Sequence, residues 1–541
     1  MNTEYFENIP YYRPKPSSEL ELRFEVETHL RSQYPTGIYR EAKEINDIVQ
    51  YLFSFYKKKL NEILPQIASR GFLEFLLFQY DQSCLINSLF KKKLLSPSEM
   101  ASWSKIGALS RRAIKYMAEN VILLQPTKEP DFKRSKLVKL IDYLWIAAEE
   151  MVELYLLSDQ TINIFPDSST LEILPEGQSV FFKLTSSKEF DFLDLINRDR
   201  ENKASYLGEG ISPFELNMIE HSSFMDEAMK LDIGATYKEC LSLIANVIND
   251  AEPVPNGPPV VFVNNEYLVH QLSQFSKIQP AIIERILSGF TLTKKNMELE
   301  ERQLWKPKQE YRAFRRGFFL LQDEGTPHIA FSRHMAKENL TFLITSVVYQ
   351  HLPPEWYGSN TQKALAAISN KAGKWFESIV IRNLKEIGIL GRSYKNKIGN
   401  VKNYIEIPSG VGEIDFLGYS ESEQTLFILE CKMVNSGTEP KFYRKDIETF
   451  VLKKNSYLKQ FEKKHQWINQ NLQQIIDILN TTKEFNQITK VKKLGTGFIT
   501  LSPSIATYFI EQYPCVSLTN LMEDYAIHKS WPYSLGVTEI A

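Results

Sequence analysis

The sequence predicts a multidomain protein, with a largely α-helical to mixed N-terminal region and a C-terminal α/β domain. Its 541 residues exceed the length of one ordinary domain. Apolar residues recur at helical spacing from about residue 41 to 159, whereas the last third shows a long amphipathic helix followed by β-like runs. We therefore expect a mostly helical region over 1–250, a small mixed α/β unit over 251–355 and an α/β domain over 356–541.

The N-terminal region alternates between clear and weak patterns. Its helical stripe is illustrated by Ile45, Ile48, Val49, Leu52, Phe53 and Tyr56. Two short β-like runs follow, Ile162–Phe165 and Val180–Leu184, separated by turn-forming residues.

Residues 251–355 begin with the linker-like segment Ala251–Pro259. A strand at Val260–Val263, helical pieces around Leu268–Phe275 and Pro280–Ser288, and a β-rich stretch at Phe318–Phe331 come next. This order suits a winged-helix-like unit, but small three-helix packings of other purposes give the same pattern. Both interpretations stay open.

Composition favours a soluble cytoplasmic protein. Apolar residues make up 43% and charged residues 24% of the chain, the balance of a globular protein. The four cysteines show no CxxC pairing, which argues against a disulfide framework and a structural zinc site. The longest apolar stretches, such as Phe72–Phe78, are far shorter than a membrane span, and the N-terminus lacks signal-peptide order. We expect no contact with membranes.

Charge is distributed unevenly along the chain. From residue 361 to the end there are 23 Lys and Arg against 18 Asp and Glu, a net charge of +5, whereas the preceding part carries 41 against 48, a net charge of −7. A mildly basic C-terminal part on an acidic body is compatible with nucleic acid at one end of the molecule.

Four residues of the last third stand at positions that predict chemistry. Glu377 lies within the helix predicted over 361–387, on the same stripe as apolar residues. Asp415 sits in the β-like run Gly412–Tyr419, after an earlier run at 403–407. Glu430 and Lys432 end the run Thr425–Met433 and share one strand face, with Cys431 on the other. Two charges at the rim of an apolar core must be paired or bind a cation.

These motifs resemble the restriction-endonuclease-like PD-(D/E)xK nucleases. That family combines an acidic residue on a helix, Asp on one hairpin strand and (D/E)xK on the next. Here the pieces read KWFES around Glu377, GEIDFLG around Asp415, and FILECKM around Glu430 and Lys432. The resemblance covers about residues 361–505 and does not extend to the N-terminal region; the Pro that many members carry before the Asp is missing.

The resemblance implies a metal-dependent nuclease active site. Asp415, Glu430, the Cys431 backbone carbonyl and Glu377 would hold Mg²⁺, with Mn²⁺ as a substitute, because hard cations prefer oxygen ligands. Lys432 would orient or deprotonate the attacking water, helped if burial lowers its pKa. Related nucleases place a Gln or Lys on the following helix, predicted over Val451–Asn471, and Gln460 is the candidate there.

A basic stretch lies beside these motifs. Within it, Lys453, Lys454, Lys463 and Lys464 are candidates for contacting a phosphate backbone. The alternative is an ordinary solvated helix face.

The predicted function is Mg²⁺-dependent hydrolysis of phosphodiester bonds, with DNA favoured over RNA as substrate. By association with the family, the context is prokaryotic restriction or phage defence. One alternative is a catalytically silent nucleic-acid-binding or scaffold subunit that retains the fold. Another is a nuclease subunit activated by a partner ATPase or sensor protein, since no phosphate-binding GxxxxGK[ST] loop occurs in the chain. A homo-oligomer is compatible with all of these.

Overall fold

The structure is a computed structural model of the chain. It describes residues 2–126, 129–165, 168–178, 180–207, 218–251, 260–298, 309–323, 325–434, 440–481, 488 and 490–540. The protein is mixed α/β, with more helix than strand, as the sequence predicts. No helix within the described residues is both long enough and apolar enough to span a bilayer.

The helices are numbered in chain order. They are α1 Pro16–Arg31, α2 Ala42–Ile67, α3 Arg70–Lys91, α4 Pro97–Leu124, α5 Arg134–Asp159, α6 Ser187–Leu207, α7 Met218–Ile233, α8 Tyr237–Asp250, α9 Asn265–Ser276, α10 Pro280–Ser288, α11 Lys294–Glu298, α12 Arg333–Ser346, α13 Ser359–Glu386, α14 Pro440–Ile447, α15 Tyr457–Gln470, α16 Leu472–Leu479 and α17 Leu518–His528.

The strands are numbered in the same way. They are β1 Thr3–Phe6, β2 Ile9–Tyr12, β3 Gly37–Tyr39, β4 Ser169–Ile173, β5 Phe182–Ser186, β6 Val260–Asn264, β7 Thr291–Leu292, β8 Phe318–Asp323, β9 Thr326–Ser332, β10 Ile389–Tyr394, β11 Lys397–Gly399, β12 Tyr404–Glu406, β13 Ile414–Ser420, β14 Thr425–Lys432, β15 Lys493–Thr500, β16 Cys515–Ser517 and β17 Val537–Glu539.

The chain divides into two compact units. The first comprises residues 1–162, 169–185 and 218–366, and the second comprises 163–168, 186–217 and 367–541. This division differs from the three predicted domains. The predicted unit at 251–355 belongs to the first compact unit, and helix α6 joins the second one. The predicted linker lies, apart from Ala251, outside the described residues.

Long helices form the core of the first unit. The predicted helical stripe becomes the buried face of α2, which packs mainly against α5. Between α3 and α4 the chain turns at Ser96, whose side chain accepts from the Glu99 backbone N–H while the Glu99 carboxylate accepts from Ser96. A four-stranded sheet, ordered β6-β9-β8-β7, also belongs to this unit.

The second unit is built on a six-stranded mixed sheet. Its order is β10-β13-β14-β15-β16, with β17 also paired to β15. Strand β13 runs antiparallel to both of its neighbours, β10 and β14. Strand β15 runs parallel to β14 and to β16. Helix α13 packs on one face, and α15 and α16 pack on the other. The carboxyl end of β14 therefore lies at a rim of the sheet between helical layers.

Close strand packing places glycine at two opposed positions of this sheet. Gly391 on β10 pairs with Gly418 on β13. A Cβ atom on Gly391 would lie 2.5 Å from the Gly418 Cα and 2.5 Å from the Phe416 ring. Only glycine lets the Phe416 ring lie against both strands.

Several local predictions differ from the structure. The run Ile162–Phe165, predicted as β-like, continues α5 as a π-helical turn over Gln160–Ile164. The helix predicted from Val451 begins at Tyr457, where Ser456 caps it. Strand β10 was not predicted, because its sequence Ile389–Tyr394 carries glycine, arginine and serine at an edge position where strand patterning is weak.

Candidate active site

The candidate site is formed where β13 and β14 meet at the rim of the sheet. The pairing of Phe416 with Leu429 continues by one step to set Asp415 opposite Glu430. Residues directly opposite one another on antiparallel strands share a face. Both carboxylates are buried, with relative exposures of 7% for Asp415 and 2% for Glu430.

Lys432 joins the two carboxylates. Its Nζ lies 2.7 Å from Glu430 Oε1 and 3.3 Å from Asp415 Oδ2, and 4.9 Å from the centre of the Tyr457 ring. The three residues predicted from the two strands therefore come together around one ammonium group. Cys431, between them in sequence, packs with the apolar cluster on the opposite face, and its backbone N–H donates to Asp415 Oδ2 over 2.9 Å.

A second ammonium group completes the neutralisation of Glu430. Lys464 on α15 places its Nζ 2.6 Å from Glu430 Oε2, and its side chain is 7% exposed. Since each oxygen of Glu430 receives one lysine, both are occupied. The prediction that Lys464 contacts a phosphate backbone is wrong in this arrangement, because the side chain is buried against Glu430.

Gln460 lies away from this group. Its side chain is exposed, and its Nε2 donates to the Asn455 backbone oxygen over 2.8 Å. The structure thus corrects the choice of helix residue, since Lys464 and not Gln460 faces the strands. Lys464 falls on the buried stripe of α15 with Leu458, Phe461 and Ile468. A lysine on such a stripe needs a buried carboxylate, and this signal was readable in the sequence.

Glu377 approaches from the other side of the sheet. Its neighbours Phe376 and Val380 pack in the cluster that contains Cys431, so α13 covers the face opposite to Glu430. The half-buried Glu377 side chain has no hydrogen-bond or ion-pair partner among the described residues. Burial, with the nearby charges of Asp415 and Glu413, raises the pKa of Glu377 to about 7.

The charges of the site set its protonation. Burial alone would raise the pKa of Glu430, but Lys432 and Lys464 outweigh it and lower that pKa below the usual value. Burial and the adjacent Glu430 raise the pKa of Asp415. Burial alone would lower the pKa of Lys432, yet Glu430 and Asp415 raise it above the usual value. The condition that burial lowers the pKa of Lys432 is therefore not met in the metal-free site, where Lys432 stays protonated.

Few side-chain atoms of the site are available as ligands for a metal ion. Among the described residues, no three His, Cys, Asp or Glu side chains gather into a set that could hold a metal ion. Asp415 Oδ1 has no hydrogen-bond partner within the described part of the chain, whereas Oδ2 accepts from Cys431 and Lys432. Of the four carboxylate oxygens, one is open and three are already paired.

Loss of the Lys464 charge should destabilise the second unit. Lys464→Met would leave one Glu430 oxygen buried without a counter-charge, which lowers the free energy of unfolding by about 2–4 kcal/mol. The exposed neighbour supplies a matched control, since Lys463→Met should change it by less than about 0.5 kcal/mol. Denaturant unfolding and hydrogen exchange of β14 measure both effects. Equal stability of the two variants would contradict the ion-pair assignment.

The raised pKa of Glu377 makes stability depend on pH. Between its ordinary pKa of 4.5 and about 7, the folded protein binds more protons here than the unfolded chain, so stability falls as pH rises and is level above 7. Glu377→Gln removes this loss of stability at high pH, because glutamine does not titrate. At pH 8 the variant should be more stable than wild type by on the order of 1 kcal/mol, after a discount for the exposed part of the side chain.

Denaturant unfolding at pH 5, 6, 7 and 8 tests this expectation. Ser378→Ala, the exposed next residue on the same helix, serves as the control for a change in helix stability. A difference between wild type and Glu377→Gln that stays constant from pH 5 to 8 would show that Glu377 does not titrate in this range.

Comparison with known proteins gives no relative for this chain. No protein-family model, no curated protein and no solved structure matches it significantly.

Proposed function

We propose that the protein is a metal-dependent nuclease whose active site is the rim of the sheet in the second unit. The observation that carries this proposal is the meeting of Asp415, Glu430 and Lys432 on adjacent strands. The arrangement has the order and residue types of the PD-(D/E)xK pattern, which supports phosphodiester hydrolysis, with DNA as the favoured substrate. Its biological context, restriction or phage defence, is part of the same proposal.

The residues fit a magnesium ion in donor type. Mg²⁺ is commonly held by one or two carboxylates and several waters, so Asp415 and Glu430 with the Cys431 carbonyl would suffice. Such an ion supplies charge neutralisation at the scissile phosphate and lowers the pKa of a bound water. Asp415 Oδ1 could bind the ion directly, whereas Glu430 would first have to lose its ion pair with Lys432 or Lys464. Mn²⁺ would use the same donors.

The lysines act as fixed cations in this proposal. Lys432 is protonated and only partly buried, with a side-chain exposure of 20%, so its ammonium can reach a phosphate oxygen at the rim. In the metal-free site Asp415 and Glu430 raise the pKa of Lys432, so we assign it the role of orienting the reacting groups. Glu377, with its pKa at about 7, is the carboxylate best poised to accept that proton.

We expect exposed cations on or before α15 and in the β11–β12 hairpin to contact the nucleic-acid backbone. Lys453, Lys454 and Lys463 are exposed at and before α15. The hairpin β11–β12 adds the exposed Lys397 and Lys402, and it packs against α16 on the same face as Glu430. Such cations bind phosphates without reading sequence.

One observation favours a second function, a silent nucleic-acid-binding or scaffold subunit. Glu430 is neutralised twice without a metal ion, so the two lysines can be a purely structural replacement for a cation. The same feature suits a nuclease that stays inactive until a partner ATPase or sensor protein displaces an ammonium group. Cleavage assays separate these alternatives.

Substitution at the rim should abolish cleavage. Asp415→Asn removes a carboxylate and Lys432→Met removes a cation, while both preserve side-chain size, so each should reduce plasmid nicking in Mg²⁺ by about 100-fold or more. Asp415→Asn should bind DNA as well as wild type or better, since it removes a negative charge.

Gln460→Ala is the matched control and should cleave as wild type does, because its side chain is exposed and bonded to Asn455. The assay is run with Mg²⁺, Mn²⁺ and EDTA, and repeated with proteins encoded beside this one. Cleavage in EDTA or in both rim variants would refute the proposed mechanism. Wild type that binds DNA but never cleaves it would favour the silent subunit.

A further inference from the structure

A cavity of about 470 Å³ lies in the first compact unit, far in sequence from the residues of the candidate active site. Its lining comes from α1, α2, α5 and the segment that leads into β5. Its lining includes the apolar residues Leu154, Leu157 and Phe182. A cavity of this size suits a small organic molecule.

Acidic side chains also line this cavity, and they are not all paired. Glu149 accepts from Arg13 with both oxygens, at 2.7 and 3.0 Å, and also from the Trp145 Nε1. The half-buried Glu150 and the exposed Glu153 line the same cavity, and neither has a hydrogen bond or an ion pair within the described part of the chain. Because they are three residues apart on α5, they are neighbours on one helix surface.

A tyrosine side chain provides a second observation. Tyr56 on α2 lines the cavity and is only 3% exposed. Its hydroxyl has no hydrogen-bond partner among the described residues. Glu150 and Glu153 line the same cavity as Tyr56. A ligand group that donates hydrogen bonds would serve all three side chains.

We propose that this cavity binds a small organic cation, a primary ammonium or guanidinium group carried on an apolar chain or ring. The cation would donate to the unpaired glutamates and the Tyr56 hydroxyl, while its apolar part would pack against the leucines and Phe182. A bare metal ion is disfavoured, since no three metal-ligating side chains converge among the described residues. The inference is independent of the nuclease proposal.

Charge accounting supports a cationic ligand. The cavity is lined by Glu19, Glu149, Glu150 and Glu153, against Arg13 and Arg23. Arg13 pairs with Glu149 and also lies 4.0 Å from Glu19, and Arg23 donates to the Gln178 backbone oxygen. Burial, with the charges of Glu153, Glu149 and Glu19, raises the pKa of Glu150 to about 8. A bound ammonium would lower that pKa and release a proton at pH 7.

Ligand titration of the full chain tests the inference. Spermidine, 1,6-diaminohexane, agmatine and phenethylamine are compared with hexane-1,6-diol and hexanoate, which match them in length but are neutral or anionic. At 1 mM, at least one of the amines should raise Tm by about 2–4 °C, as expected for a ligand well above its Kd. The diol and hexanoate should not raise it. Calorimetry in HEPES and in phosphate at pH 7, two buffers that carry no primary amine and differ in ionisation enthalpy, should report proton release.

Variants locate the binding site. Glu150→Gln/Glu153→Gln preserves shape and should weaken amine binding by about 10-fold or more, and Tyr56→Phe should weaken it less. Glu62→Gln removes the same charge from the exposed surface of α2, where the side chain is 53% exposed, and should bind as wild type does.

Three outcomes would overturn the inference. These are no binding of any of the four amines, equal binding of the diol, or wild-type affinity in Glu150→Gln/Glu153→Gln. A wild-type protein that cleaves DNA but binds no amine would overturn this inference alone. Amine binding without cleavage would leave it intact and count against the proposed nuclease.

Discussion

Glu430 lies near the end of β14, directly after four buried apolar residues, Leu426 to Leu429, and its carboxylate is almost completely buried. A single ionised carboxylate in such a place would be strongly destabilising, and two ammonium groups make it tolerable. Lys432 reaches it from the same strand, and Lys464 reaches it from the helix packed above. The position of α15 on the sheet therefore depends on charge pairing as well as on its apolar stripe.

This pairing also governs what the site can do. With Asp415 and Glu430 ionised and both lysines protonated, the formal charge of the four groups is zero before any metal ion binds. A divalent cation gains from two buried carboxylates but must separate at least one ammonium from Glu430. The released ammonium would then be free to meet a phosphate. Structural stability and the proposed catalysis thus compete for the same two oxygens, and a partner that moves α15 would shift this balance.

The sequence was sufficient for the mixed α/β class and for the proximity of Asp415, Glu430 and Lys432. These three residues were grouped by the family resemblance, and strand periodicity with the short turn between β13 and β14 is consistent with their placement on one face. Gln460 was chosen in place of Lys464 because the family resemblance suggested a residue type for the helix. The buried stripe of α15, which contains Lys464, was not used to choose among the positions of that helix. The direction of the pKa shift of Lys432 depends on two carboxylates that folding brings close to it. Burial alone could therefore not predict that direction.

The domain boundaries show another limit. Helix α6 belongs to the second unit although it precedes most of that unit by more than 150 residues. It contacts a helix that is far away along the chain, because Arg198 on α6 pairs with Asp524 on α17 at 2.8 Å. Periodicity describes one element at a time, and it carries no information about such long-range pairing. The π-helical turn after α5 was missed for a similar reason, since a short apolar run suits strand and helix equally.

A crystal structure of the full chain with Mn²⁺ tests the central claim most directly, because anomalous scattering locates the ion without prior assumptions. We expect one ion bound between the carboxylates of Asp415 and Glu430, with at least one of the Lys432 and Lys464 ammonium groups separated from Glu430. At saturating Mn²⁺, a structure with no ion at this rim and both lysine pairs intact would contradict it.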